Sequence, residues 1–219
     1  IWGRVQRISP EAPVPVVDVQ RESSFPGGAA NVARNLREFS RHVEVLGLVG
    51  CDPAGERLSQ LLSEAGIGLG GLIADPQRPT IVKTRIIARQ QQVGRVDRET
   101  RNRLHGEIDR RILGQFESAI GAVDAVILQD YGKGFFSQSL VDGMVALARG
   151  AQVVITADIN PGNPIRWAGL DAVKPNRGEA FAAAGAPASD PVEPVRDDSA
   201  LFEVGRRLRD DWRCASLLV

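Results

Sequence analysis

Apolar residues in this chain recur with two periods, and the switches between them delimit the elements. Residues 13–19 (PVPVVDV) read as an extended segment punctuated by prolines. Residues 28–40 carry Val32, Leu36 and Phe39 at helical spacing, which predicts a helix with those three on one face. Val43–Val49 is an apolar run of strand length. Asp52-Pro53 is a helix start, with Asp at the N-cap and Pro in the first turn. Leu58, Leu61, Leu62 and Ala65 then form that helix's stripe, and Gly66 ends it. Residues 80–89 and 93–97 alternate and predict a hairpin with a polar tip at Gln90-Gln91-Gln92. Residues 105–120 predict an amphipathic helix through Ile108, Ile112, Phe116 and Ile120. Val123–Leu128 and Val153–Thr156 read as buried strands running into Asp130 and Asp158. Ser137 caps a helix that lies between them and reaches residue 149. Ala172-Val173 is a short strand before Lys174-Pro175-Asn176. Residues 186–198, rich in Pro and Asp, read as a solvated loop, and a helix over 199–212 precedes a last apolar strand.

Buried strands that alternate with amphipathic helices predict an α/β fold, a mostly parallel sheet flanked by helices. In such sheets ligands lie beyond the carboxyl ends of the strands, where Asp130, Asp158 and Asn176 all fall. With 219 residues, 43% of them hydrophobic, the chain supports one sizeable core, here expected as one domain over 1–219 with lid segments near 13–19 and 80–97. A formal net charge of zero gives no field favouring nucleic acid or an anionic membrane. Cys51 and Cys214 form neither a disulfide framework nor a zinc spacing, and no leader or membrane span is visible, so the cytoplasm is the expected compartment. Both ends read as cut: there is no initiating methionine, and the last strand stops abruptly at Val219.

Three of the 27 basic residues are lysines, and each of these (Lys83, Lys133, Lys174) lies beside a candidate motif. Pro26-Gly27-Gly28-Ala29-Ala30-Asn31 puts a glycine pair at the start of a helix. Without Cβ atoms a ligand can approach the free N–H groups there, and Asn31 offers donors and acceptors to a polyhydroxylated molecule; a tight turn before an ordinary helix is the plain alternative. Lys83 and Arg85 share a face of the 80–89 strand, about 7 Å apart, which suits one phosphate or only a solvated face. Asp130-Tyr131-Gly132-Lys133-Gly134 places an acid, a base and two glycines in one loop, either at an active-site rim or as a turn with a surface ion pair. Asn176 and Glu179 lie three apart at a helix start; they could organise magnesium through water, although a plain capping box explains the pair locally. His42 and His105 read as surface residues. No dinucleotide fingerprint or P-loop is present, which disfavours a dehydrogenase.

Taken together, these segments resemble the ribokinase-like sugar kinases: Gly27, Gly28 and Asn31 match the family's sugar-binding signature, and Asn176-x-x-Glu179 its N-x-x-E motif. A closer likeness is to the bacterial D-glycero-β-D-manno-heptose 7-phosphate kinases, the kinase domain of ADP-heptose synthase. It rests on Arg7-Ile8-Ser9-Pro10-Glu11-Ala12-Pro13-Val14-Pro15, the 26–33 segment, Pro79-Thr80-Ile81-x-Lys83-x-Arg85, Gln91-Gln92-x-x-Arg95-x-Asp97 and Asp130-Tyr131-x-Lys133-Gly134. The resemblance implies ATP- and magnesium-dependent phosphorylation of heptose 7-phosphate at its anomeric hydroxyl, a step toward ADP-heptose and lipopolysaccharide core. It assigns Gly27, Gly28, Asn31, Lys83, Arg85 and Asp130 to the phosphosugar and Asn176, Glu179 and Asp158 to the nucleotide, with magnesium held through water by Glu179 and Lys133 supporting the transfer. The family's G-A-G-D element, with its catalytic aspartate, has no match here and is expected beyond Val219, so this stretch alone is expected not to catalyse. Asp158-Ile159-Asn160 stands where these kinases carry an Asp-Pro pair. Another ribokinase-like sugar kinase, or a non-catalytic sugar-phosphate sensor on the same fold, are the alternatives. A lid with one apolar face needs a cover, which predicts a homodimer through the lid.

Overall fold

The computed structural model describes residues 1–100, 102–104 and 106–219, which form two compact units, 1–100 and 101–219. In the first unit, β1 (Trp2–Ile8) and β2 (Pro15–Arg21) pair antiparallel, and helix α1 (Ala29–Leu36) follows. Strand β3 (Glu44–Gly50), helix α2 (Pro53–Glu64) and strand β4 (Gly68–Asp75) make a parallel β-α-β unit. The unit closes with the hairpin of β5 (Val82–Ala88) and β6 (Gln91–Arg98). Its four-stranded sheet runs β2-β1-β5-β6, with β1 and β5 parallel. Ala30 and Ala33 of α1 pack with Leu62 and Ile67, and Val43, Val45, Leu58, Ala65 and Leu69 extend this core. Asp52 caps α2 as the sequence predicts, its Oδ1 accepting from the Gly55 N–H at 2.9 Å, a contact worth about 1 kcal/mol.

Several expectations are corrected in this unit. Helix α1 stops at Leu36, and Phe39 is 91% exposed; the buried face is Ala30 and Ala33, because small residues let the helix lie close on its neighbours. The hairpin turns on Arg89-Gln90 alone, with Gln91 already paired to Ala88. The 13–19 segment joins the hairpin's sheet but does not touch the hairpin strand, since β1 intervenes. Neither β1 nor β4 is legible from pattern: charges interrupt the first, and three glycines in eight residues make the second read as loop.

The second unit is an all-parallel sheet in the order β10-β9-β8-β7 with crossover helices. Its elements are α3 (Gly106–Ile120), β7 (Ala125–Gln129), α4 (Gln138–Gly150), β8 (Val154–Asp158), β9 (Ala172–Val173), α5 (Arg177–Ala183), α6 (Ser199–Trp212) and β10 (Ser216–Leu217). Ile108, Ile112, Phe116 and Ile120 are the buried residues of α3, as their spacing predicts. Ser137 caps α4 through the Leu140 N–H. The strands are less enclosed than expected: Leu128, Ile155 and Ala157 are buried, but Ile127 and Val154, which point the other way, are half open. His42 is exposed, as expected, whereas His105 lies outside the described residues.

Asp198 overturns the reading of 186–198 as wholly solvated. It is 2% exposed and caps α6, accepting from the Leu201 N–H at 3.0 Å and from Arg177 at 2.6 Å. The Arg177 guanidinium, then the Leu201 N–H, hold its carboxyl below the ordinary 3.8. A carboxylate whose folded-state pKa is depressed contributes stability that is complete above its unfolded value and disappears as pH falls through the folded one. Asp198→Asn therefore flattens the fall of Tm between roughly pH 5 and pH 2, while wild type loses stability steeply there. Parallel Tm–pH curves for the two proteins would show that this pair does not govern acid unfolding.

Candidate active site

In the first unit, α1 starts at Gly28, whose φ of 53° and ψ of −133° suit only glycine. No side chain caps the helix, and Asn31 is exposed in its first turn. A Cβ on Gly27 would meet nothing, which leaves the approach to that backbone open.

One face of the β5–β6 hairpin gathers four charged residues, while Arg98 lies on the other. Lys83 stands opposite Asp97, and Arg85 opposite Arg95. Lys83 Nζ lies 2.8 Å from Asp97 and also donates to Glu99, and these carboxylates hold its pKa above the usual lysine value. Asp97 also takes Arg95 at 3.0 Å and is itself held below the usual carboxylate range, first by Lys83. Arg85 has no side-chain partner among the described residues, and it faces a second guanidinium across the ladder. Arg95 is already paired with Asp97, so an anion arriving on this face meets Arg85 as the guanidinium without a side-chain counter-ion. The expected two-cation grip thus splits: Lys83 is already neutralised, and Arg85 is the open cation.

In the second unit, polar side chains gather at the carboxyl ends of β7, β8 and β9. Asp130 is 4% exposed and fully engaged: Oδ1 accepts from the Gly132 N–H at 2.7 Å, and Oδ2 from Asn163 Nδ2 at 2.9 Å. Here Asp130 shapes its own loop. Gly132, at φ 64°, is required there, since a Cβ would come within 3.0 Å of the Asn160 side chain. Lys133 is half-buried on the same loop. Asp158 accepts from Gln129 Nε2 at 2.8 Å and lies 3.4 Å from Lys174 Nζ. Burial, and next the charge of Asp158, push the Tyr131 phenol above its ordinary value.

Asn176 and Glu179 form a complete capping box at α5: the Glu179 N–H donates to Asn176 Oδ1 at 2.9 Å, and the Asn176 N–H to Glu179 Oε2 at 2.7 Å. That leaves Glu179 Oε1 as an acceptor, and a single carboxylate oxygen suits magnesium held through its water shell. The box engages the Asn176 N–H and Oδ1, so these strand ends keep Glu179 Oε1 as an acceptor and Lys174, beside Asp158, as a cation. The sequence reading missed Asn160 and Asn163, and did not foresee that Asp97 and Glu99 take Lys83. A charge alternation at 95, 97 and 99 opposite Lys83 was the available signal for the latter.

The sequence profile of the pfkB family carbohydrate kinases matches residues 2–197, and the chain belongs to that family. It is 41% identical over 179 residues to "Bifunctional protein HldE" of Helicobacter pylori (strain ATCC 700392 / 26695), covering 82% of this chain and 39% of that protein. Its identity to "Bifunctional protein HldE" of Geobacter sulfurreducens (strain ATCC 51573 / DSM 12127 / PCA) is 36% over 219 residues, covering 100% of this chain and 43% of that protein. The chain thus spans about two-fifths of the length of these relatives. Its fold is similar to Arabidopsis thaliana ribokinase complexed with ribose and ATP, with a TM-score of 0.64 and 13% identity over 99% of this chain and 65% of that one. The α/β fold expected from the alternating pattern, and the ribokinase-like architecture that the resemblance implies, are therefore observed. Among the described residues, no helix is long and apolar enough to cross a membrane.

Proposed function

We propose that this chain is the sugar-binding and part of the nucleotide-binding portion of an ATP- and magnesium-dependent kinase whose acceptor is already phosphorylated. The acceptor is heptose 7-phosphate, phosphorylated at its anomeric hydroxyl on the route to ADP-heptose and lipopolysaccharide core. The observation that supports the phosphorylated acceptor is Arg85, an exposed guanidinium with no side-chain partner among the described residues, on a strand face of a carbohydrate-kinase chain. The heptose rests on the family resemblance carried by residues 7–15, 26–33 and 79–85.

In this reading both units belong to one kinase domain, with 13–19 and 80–97 as lid. Gly27, Gly28 and Asn31 hold the sugar hydroxyls, Arg85 takes the existing phosphate, and Lys83 sets the charge around it through Asp97 and Glu99. Asp130 and Gly132 fix the loop that presents Lys133 to the transferring group. Asn176, Glu179 and Asp158 serve the nucleotide, with magnesium held through water on Glu179. Magnesium supplies neutralisation of the phosphate charge; positioning by these residues does the rest. Dependence on ATP fits the cytoplasm. An ADP-release assay on the complete protein tests this, with heptose 7-phosphate and its dephosphorylated analogue compared. Turnover restricted to the phosphorylated sugar supports the reading; equal turnover of both removes it.

The apolar face of the four-stranded sheet carries Val5, Val17, Val19, Ile86 and Val96, of which Val19 is 55% and Val96 59% exposed. A second copy of the same sheet would cover it, which makes a two-fold dimer part of the proposal. Light scattering should show a dimer that Val96→Glu converts to monomer. A wild-type protein that is monomeric at micromolar concentration refutes the arrangement.

A further inference from the structure

The strongest cluster outside the binding residues lies at the root of the hairpin. Gly50 ends β3, Asp52 starts α2 two residues later, and Gly55 lies in the first turn, so the spacing is Gly-x-Asp-x-x-Gly. The Asp52 carboxylate serves two elements at once. Oδ1 accepts from the Gly55 N–H at 2.9 Å, and Oδ2 from the Thr80 N–H at 2.8 Å. Thr80 is 5% exposed, and its hydroxyl accepts from the Gly50 N–H at 2.8 Å. Thr80 lies two residues before β5 begins, in the segment that leaves β4.

No slack exists in this knot. A Cβ on Gly50 would fall 2.5 Å from the Arg78 carbonyl and 2.7 Å from the Thr80 nitrogen; on Gly55 it would fall 2.5 Å from the Gly50 carbonyl and 2.9 Å from the Thr80 hydroxyl. The segment leading in is pinned as well. Asp75, 3% exposed, accepts from the Gln77 N–H at 2.9 Å through Oδ1. The Thr80 contacts, the Asp52 carboxylate and the two glycines bring the end of β3, the start of α2 and the base of β5 to one point. α2 contributes Leu62 to the core that also holds Ala30 and Ala33 of α1. A rigid path therefore runs from the start of α1 to the strand that carries Lys83 and Arg85.

We infer that Asp52 and Thr80 are positioning residues: they anchor the base of β5 and so fix Arg85 relative to the Gly28–Asn31 helix start. This rests on the phosphosugar reading above. The anchor acts through backbone geometry, since the hydrogen bonds of the two side chains go to the N–H groups of Gly50, Gly55 and Thr80.

The test compares Thr80→Val, which is nearly isosteric but lacks the hydroxyl, with Thr80→Ser, which keeps it. Ile112→Val, which loosens the core under α3 in the other unit, is the control for stability. In the complete protein, Thr80→Val should raise KM for heptose 7-phosphate about 10-fold and leave KM for ATP within about twofold, while Thr80→Ser and Ile112→Val stay near wild type. Hydrogen exchange should show the amides of residues 82–88 losing protection in Thr80→Val and not in Ile112→Val. Should Thr80→Val not fold, Asp52→Asn, which keeps one acceptor oxygen for two N–H groups, takes its place. The inference is overturned if Thr80→Val and Ile112→Val change KM alike, or if protection over 82–88 is unchanged. If wild type shows no activity on any phosphosugar, the substrate reading fails, and the exchange measurement still decides the anchor.

Discussion

Arg85→Gln in the complete protein weakens binding of heptose 7-phosphate by roughly 10- to 100-fold, the value of a lost charge-assisted contact of about 1.5–3 kcal/mol. The dephosphorylated sugar loses almost nothing. Lys83→Gln has the smaller effect on affinity, because its ammonium is already shared between Asp97 and Glu99. Removing it frees those carboxylates beside the phosphate, so its residual effect is repulsive and weakens as salt is raised. Calorimetry with both sugars, at low and high salt, separates the two variants. Equal losses on both sugars for Arg85→Gln would mean that the strand face is only solvated charge.

The second large effect is structural. Trp167 is 1% exposed, its ring edge-to-face with Phe136 at 5.6 Å, and Phe136 meets Phe135 at 4.9 Å. Trp167→Ala leaves a cavity that costs about 3–5 kcal/mol, a fall in Tm on the order of 10 °C for a protein of this size. The damage extends to the loop at the strand ends. Asn163 Nδ2 donates to Asp130 at 2.9 Å and reaches the Phe136 carbonyl at 3.5 Å, so the aromatic stack supports the side chain that holds Asp130. Trp167→Phe, which keeps a ring, should recover most of the loss. A drop of only a degree or two for the alanine variant would show that this cluster is not core.

Local chemistry explains what the sequence revealed and what it hid. Helices α3 and α4 are legible because their signals are local: Ile108 through Ile120 repeat at helical spacing, and Ser137 precedes its helix. Strand β1 was not, because Trp2–Ile8 gains its identity from partners at 15–21 and 87–88 rather than from its own pattern. Strand β4 was hidden for the opposite reason: Gly68, Gly70 and Gly71 read as a breaker, whereas Gly68 and Gly71 make room for Glu44 and Leu46 of the paired strand. At the site, residue types were readable and partnerships were not. Asn176 and Glu179 announce a helix start in sequence and form one. That Asn163 takes the second oxygen of Asp130 depends on a loop 33 residues further on, which no local window contains.

The four-stranded sheet of the first unit also sets an order of events during synthesis. Trp2 pairs with Ile87, a separation far longer than that of Leu46 and Gly71 in the β-α-β unit. Closing the longer loop costs about 1 kcal/mol more in chain entropy, and on a ribosome β5 emerges several seconds after β1. The β1–β2 hairpin therefore waits with one open edge and an apolar face of Val5, Val17 and Val19, while β3, α2 and β4 can already fold. That interval is when the nascent chain is most exposed to pairing with another copy of itself.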